Sequence, residues 1–139
     1  MIRKAPVSMI MTEQVITLSQ EDSLEKAEQI FNKHHIRHIP IVTDDVVIGM
    51  LSQTDLTRLN IGEFNSTDDT DTDVYIHNLF TIGQVMRRKL ISVSSSNSIK
   101  EVAEILATKE YHALPVIDNN QLIGIVTTTD LIKYLLSQF

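Results

Sequence analysis

Gly49-Met50-Leu51-Ser52-Gln53-Thr54-Asp55-Leu56 returns 75 residues later as Gly124-Ile125-Val126-Thr127-Thr128-Thr129-Asp130-Leu131. The same offset carries Ile39-Pro40 onto Leu114-Pro115, Ile30 onto Ile105 and Ser23 onto Ser98. It also carries Met11-x4-Ile16 onto Met86-x4-Ile91. No gap is needed to lay Val7 to Leu59 on Ile82 to Tyr134. A duplication of this kind decides the architecture before any single element does. Each copy is too small to bury a good core alone, so the two are expected to pack on one another.

Each copy reads in the same order. A short strand comes first, Val15 to Leu18 or Leu90 to Val93. A helix follows. In the second copy Ser98 and Glu101 make a capping-box pattern, and Ile99, Val102, Ala103 and Leu106 recur at helical spacing. In the first copy Asp22 and Glu25 offer a similar start, with Leu24, Ala27 and Phe31 on the inner face. Two strands then flank a polar turn: Ile39 to Val42 and Val46 to Leu51 around Thr43-Asp44-Asp45, and Leu114 to Ile117 and Gln121 to Val126 around Asp118-Asn119-Asn120. A last helix begins near Thr54 or Thr129. Each unit is therefore β-α-β-β-α, an α/β arrangement with a right-handed crossover. The bounds expected are 1–60 for the first repeat, 61–73 for an acidic linker and 74–139 for the second repeat.

Composition narrows the function classes. The chain has 139 residues, 42% of them hydrophobic, and a net charge of −6. An acidic balance speaks against nucleic acid, whose binding depends on neutralising phosphates. Arg87-Arg88-Lys89 is the one dense basic cluster, and it reads first as a solvated turn. The absence of cysteine excludes disulfides and thiol chemistry. No stretch is apolar for long enough to span a bilayer, and the N-terminus lacks the apolar segment of a secretory signal. Cytoplasm is the default location. Residues 65–73 carry no hydrophobic side chain and read as an exposed, mobile linker. Asp69, Asp71 and Asp73 alternate like the first ligands of a calcium loop, but Val74 and Phe80 stand where that loop needs Gly and Glu.

The motif Ser52-x-x-Asp55, with its twin Thr127-x-x-Asp130, has two readings. Ser or Thr followed three residues later by an acid starts a helix. Yet in both copies it follows a glycine and a strand end, and it leaves hydroxyls and helix N-terminal amides at the junction, a ready anion site. A carboxylate there can accept two hydrogen bonds from a ribose diol.

With the Pro pairs and the upstream helices, these motifs resemble a tandem pair of CBS (cystathionine β-synthase) domains, the arrangement called a Bateman module. The resemblance covers nearly all of the chain. It implies two β-α-β-β-α repeats packed sheet to sheet with pseudo-twofold symmetry. It also implies clefts between the repeats that take AMP, ADP, ATP or S-adenosylmethionine. Carried over by motif, Asp55 and Asp130 would hold ribose hydroxyls, and Ser52, Thr54, Thr127 and Thr129 would sit by ribose and phosphate. Ile39, Pro40, Leu114 and Pro115 would wall the base pocket, with backbone near Ile16 and Ile91 reading the adenine edge.

The copies differ just before the Pro pair, with Arg37-His38 in the first and His112-Ala113 in the second. Arg37 could pair with phosphate bidentately, and His112 only in part near neutral pH. The plain alternative is that Arg37 and His38 are surface residues at a helix end. His34, His35 and His38 invite a metal reading, and His34 and His38 would share one face of a continuing helix, but no third ligand joins that pair and Pro40 argues that the helix stops early. No nucleophile motif and no phosphate-cradling glycine loop accompany the motifs, so catalysis is not expected. The expected function is a stand-alone regulatory module for an adenosyl ligand, with an unidentified regulated protein and a homodimer as partners. The competing expectation is an interaction module with non-binding clefts. In either case Ile132, Leu135, Leu136 and Phe139 give the C-terminal helix apolar surface for pairing, or else complete the monomer core.

Overall fold

A computed structural model describes residues 4–61 and 79–139. The acidic stretch with Asp69, Asp71 and Asp73 lies outside the described residues. The chain divides into two compact units. The first is Ile16–Lys89, and the second joins Met1–Val15 to Leu90–Phe139.

The first unit holds α1 (Leu24–His34), β1 (His38–Thr43), β2 (Val46–Ser52), α2 (Gln53–Ile61) and the short α3 (Ile82–Val85). The second holds a 3-10 turn (Val7–Met9), α4 (Ile99–Thr108), β3 (Ala113–Asp118), β4 (Gln121–Thr127) and α5 (Thr128–Ser137). Helix α1 starts at Ser23, whose side chain accepts from the Lys26 amide. The cap is thus Ser23 and not Asp22, as the offset from Ser98 already required. Asp22 instead accepts from the Ser19 amide and pairs with Lys26 Nζ at 3.2 Å. On α4, Ser98 and Glu101 close a full capping box.

Leu24, Ala27 and Phe31 are buried along one face of α1, as are Ile99, Val102 and Leu106 along α4. The hairpins β1-β2 and β3-β4 are antiparallel, with register shifts at Ile41/Val42 and Val116/Ile117, again 75 residues apart. Their two-residue turns place Asp44, Asp45, Asn119 and Asn120 at φ between 50° and 65°. Asp and Asn are the non-glycine residues that tolerate this left-handed region.

The leading strands expected over Val15 to Leu18 and Leu90 to Val93 shrink to single bridges. Leu18 pairs with Ile41 and Val93 with Val116, both parallel. The pairing explains a proline inside each strand. Pro40 faces this edge with its carbonyl, which accepts from the Leu18 amide, while the return bond comes from Val42 to Leu18. The N–H that Pro40 lacks is therefore not needed, and Pro115 repeats the pattern with Val93 and Ile117.

The opposite edge of each hairpin is completed by the segment that leads into the other repeat. Met50 of β2 exchanges two backbone bonds with Arg87, and Ile125 of β4 exchanges two with Thr12. Gly49 and Gly124 serve this approach: a Cβ on Gly124 would lie 2.7 Å from Met11 Sδ, and one on Gly49 would collide with Met86 Sδ. Each unit then carries a buried apolar cluster of its own. Ile82 and Met86 join Leu24, Phe31, Ile39, Ile41 and Leu51 in the first. Val7 joins Val102, Leu114, Val116 and Val126 in the second. The borrowed residues add apolar area that one repeat lacks.

Candidate ligand-binding site

Within each unit the hairpin register brings two of the sequence motifs side by side. His38, Ile39 and Pro40 lie opposite Ser52, Leu51 and Met50, and Ala113, Leu114 and Pro115 lie opposite Thr127, Val126 and Ile125. One more bond ties the segment before the strand to the helix start. The Gln53 amide donates to the Arg37 carbonyl at 2.8 Å, and the Thr128 amide to the His112 carbonyl at 3.0 Å.

At the strand-to-helix junction both capping boxes are formed. Asp55 Oδ2 accepts from the Ser52 amide at 3.1 Å, and Ser52 Oγ accepts from the Asp55 amide at 3.0 Å. Asp130 Oδ2 accepts from the Thr127 amide at 2.9 Å, and Thr127 Oγ1 accepts from the Asp130 amide at 3.2 Å. The Thr127 hydroxyl also lies 3.2 Å from Asp130 Oδ2. In each motif the box engages Oδ2. Among the described residues, Oδ1 of Asp55 and of Asp130 accepts no hydrogen bond. A carboxylate has about four lone-pair positions, so capping leaves acceptor capacity at both sites.

Ser52, Asp55, Thr127 and Asp130 are half-buried, and Thr54 and Thr129 are exposed. Ile39 and Leu114 have no exposed surface, and Pro40 and Pro115 are buried with them. Ile16 and Ile91 are half-buried, two residues before the bridges at Leu18 and Val93. His34 closes α1, His35 adopts a left-handed C-cap at φ 53°, and His38 starts β1. His34 and His38 therefore do not share a helix face. Among the described residues no group of three metal-ligating side chains comes together.

Arg37 and His112 are both exposed. Arg37 lines an open depression of about 310 Å³ with Phe31, Asn32, His35, Ile36 and Gln53. Sequence reasoning gives Asn32 and Gln53 no role, and it considers His35 only as a metal ligand. All three stand out only when the copies are overlaid, since the second copy has Ala107, Glu110 and Thr128 there.

Three of the described carboxylates are held in the ionised form by local hydrogen bonds. The Ser19 amide holds Asp22 below the usual carboxylate range. The Ser98 amide does the same for Glu101. The Ser95 hydroxyl, with its amide, lowers Asp118.

No helix among the described residues is long and apolar enough to cross a membrane. The protein YhcV of Bacillus subtilis (strain 168) is 29% identical over 121 residues, which cover 87% of this chain and 79% of that protein. The crystal structure of MJ1225 from Methanocaldococcus jannaschii matches with a TM-score of 0.82 at 25% identity, over 97% of this chain and 49% of that one. The chain thus spans about half of MJ1225. The CBS domain pair of MJ0100, solved with 5′-methylthioadenosine and S-adenosyl-L-methionine, matches with a TM-score of 0.80 at 23% identity, over 97% of this chain and 98% of that one. Two successive matches to the CBS domain family model, at residues 7–62 and 82–137, agree with the duplication and the paired motifs: the chain belongs to the CBS domain family, as a tandem pair.

Proposed function

We propose that this chain is a regulatory module that takes an adenosyl ligand at Ser52-x-Thr54-Asp55 and Thr127-x-Thr129-Asp130. Residues 1–60 and 74–139 act as the two repeats, joined by 61–73, and the module works in the cytoplasm without catalysing a reaction. The observation that carries the reading is that the capping bonds engage Oδ2 of both carboxylates, which among the described residues leaves Oδ1 spare. A residue needed only as a cap can be Asp or Glu, Ser or Thr. Here the same acid recurs in both copies with a threonine hydroxyl directly before it. The adenosyl compounds bound by MJ0100 support the ligand class. AMP, ADP, ATP and S-adenosylmethionine are the candidates, with Asp55 and Asp130 accepting from ribose hydroxyls. Arg37, with His38 beside it, favours the more highly charged nucleotide at the first motif, where His112 gives the second a weaker phosphate partner. Backbone at Ile16 and Ile91 reads the base, and Ile39, Pro40, Leu114 and Pro115 form its apolar wall. Binding shifts the association of the module with a regulated protein or with a second copy.

Calorimetric titration with the four ligands tests this. A sensor with a Kd between micromolar and millimolar gains about −8 to −4 kcal/mol on binding. Asp55→Asn and Asp130→Asn keep a capping oxygen but replace the second acceptor by a donor. Each is expected to weaken its site about tenfold to a hundredfold, the loss of a charge-assisted bond worth roughly 1.5–3 kcal/mol. Wild-type affinity in both variants refutes the site assignment.

A second reading is favoured by one observation. Ile132, Leu135 and Leu136 on α5, and Phe139 two residues beyond its end, are 57%, 56%, 67% and 94% exposed. These residues do not complete the core of the described chain, and their stripe suits a protein partner, first of all a second copy. Light scattering on the wild type and on Leu135→Glu decides it. A dimer that the charge dissociates supports the pairing face, and a monomer at all concentrations removes it.

A further inference from the structure

The two connectors between the units are short and tied at both ends. Residues 13–17 run from Thr12, which exchanges bonds of 2.8 and 2.9 Å with Ile125 in the second unit, to Leu18, bonded to Pro40 and Val42 in the first. Residues 88–92 run from Arg87, which exchanges bonds of 2.9 Å in each direction with Met50 in the first unit, to Val93, bonded to Pro115 and Ile117 in the second. Each connector is five residues long, and each ends on a pair of backbone bonds in a different unit. The upstream end is also held by a thioether seated on a glycine, Met11 on Gly124 and Met86 on Gly49. The first connector is stiffened further by the Val15 amide, which donates to the Glu13 carbonyl at 3.0 Å.

A long linker absorbs a shift at one end by changing its own conformation. Five residues held by paired bonds at both ends have few conformations with which to absorb a shift, so displacement at one anchor is passed toward the other. We propose that the two straps, Met11-Thr12 on β4 and Met86-Arg87 on β2, are a coupling device. Loosening the first strap on the second unit frees the Leu18 edge of the first unit, and loosening the second strap on the first unit frees the Val93 edge of the second. The connectors also contain Ile16 and Ile91, so a ligand that grips either residue pulls on both units. The coupling itself does not depend on that ligand.

Amide hydrogen exchange on the full chain tests the device. In Gly124→Ala the new Cβ meets Met11 Sδ and lies 3.1 Å from the Thr12 carbonyl, so the strap must move. Exchange at Thr12 and Ile125 is expected to speed up, and exchange at Leu18 and Val42 in the first unit to speed up by about tenfold with them. Val102→Ala weakens the buried cluster on which Met11 packs but leaves the strap's backbone bonds and glycine seat in place, and should leave Leu18 and Val42 unchanged. Gly49→Ala should reproduce the effect in reverse, at Val93 and Ile117. If Gly124→Ala does not fold, Met11→Ala, which removes the thioether without a clash, is read in the same way. Acceleration confined to the substituted unit overturns the proposal. So does equal acceleration of Leu18 in Val102→Ala, because general loss of stability then accounts for it.

Discussion

The two units are built on the same backbone plan and finished with different side chains. Positions 75 apart share the bulge, the glycine seat, the proline in the strand, the bridge at the far edge and the motif box. Side-chain support differs. In the second unit Glu101 reaches back to the Ser98 amide, whereas Lys26 stands at that position in the first and pairs with Asp22. In the second unit Asp118 accepts from the Ser95 amide and hydroxyl, while the corresponding first-unit residues are Thr43 and Gln20. The turn held by Asp118 receives the N-terminal segment, with the Val7 amide donating to the Asn97 carbonyl at 2.7 Å and the Ser8 amide to the Ser95 carbonyl at 3.3 Å. Finally, α5 carries Ile132 and Leu135 where the first copy has Thr57 and Asn60. Duplication preserved what the backbone needs and released what the surface can vary.

The largest expected contrast lies in the cores. Phe31 and Leu106 occupy equivalent positions and are 2% and 8% exposed. Phe31→Ala should cost about 3–5 kcal/mol and Leu106→Ala about 2–5 kcal/mol, the former more because a larger cavity is left beside a fully enclosed site. Denaturant melts of both variants measure the difference, and an equal loss would mean that the first unit collapses around the hole. Helix caps come next. Ser98→Ala should cost about 1 kcal/mol and Ser23→Ala less, because only the former breaks a reciprocal box. Equal costs would show that the Glu101 arm adds nothing.

Acid should separate the units further. A carboxylate whose folded pKa lies below its unfolded value contributes stability above the unfolded pKa and loses it as pH falls through the folded one. Asp118 and Glu101 in the second unit and Asp22 in the first are all lowered in this way. Among the described residues the second unit has two such groups to one, so it should loosen first below about pH 4. Asp118→Asn should flatten that limb, as read by exchange at Val7 and Ser8 over a pH series. The smallest effect belongs to the hairpin turns. Glycine suits the second residue of each left-handed turn, so Asp45→Gly and Asn120→Gly should stabilise by several tenths of a kcal/mol, up to about 1. Asp45→Gly should gain more because it also parts two adjacent acids, and thermal melts rank them.

Much of this protein follows from its sequence alone. The repeat is legible as a constant offset of 75 residues, and the hairpins with their Asp-Asp and Asn-Asn turns, the helix faces and the Ser52/Asp55 and Thr127/Asp130 boxes arise from residues close in sequence. Local backbone geometry governs such pairs. At α1 the sequence points to Asp22 while the cap is Ser23, because the two residues offer adjacent oxygens and Asp22 is engaged by the Ser19 amide. Tertiary structure decided the rest. The leading strands shrank to Leu18 and Val93 because a parallel edge needs only the carbonyl of the proline and one amide beyond it. No local pattern says that Met11 belongs over Gly124 and Met86 over Gly49, so that each repeat is finished by the segment ahead of the other. The outer face of α5 has the same apolar spacing as a core helix, and the spacing alone could not tell the two apart. Periodicity records which residues share a face, and only the packed chain settles what covers it.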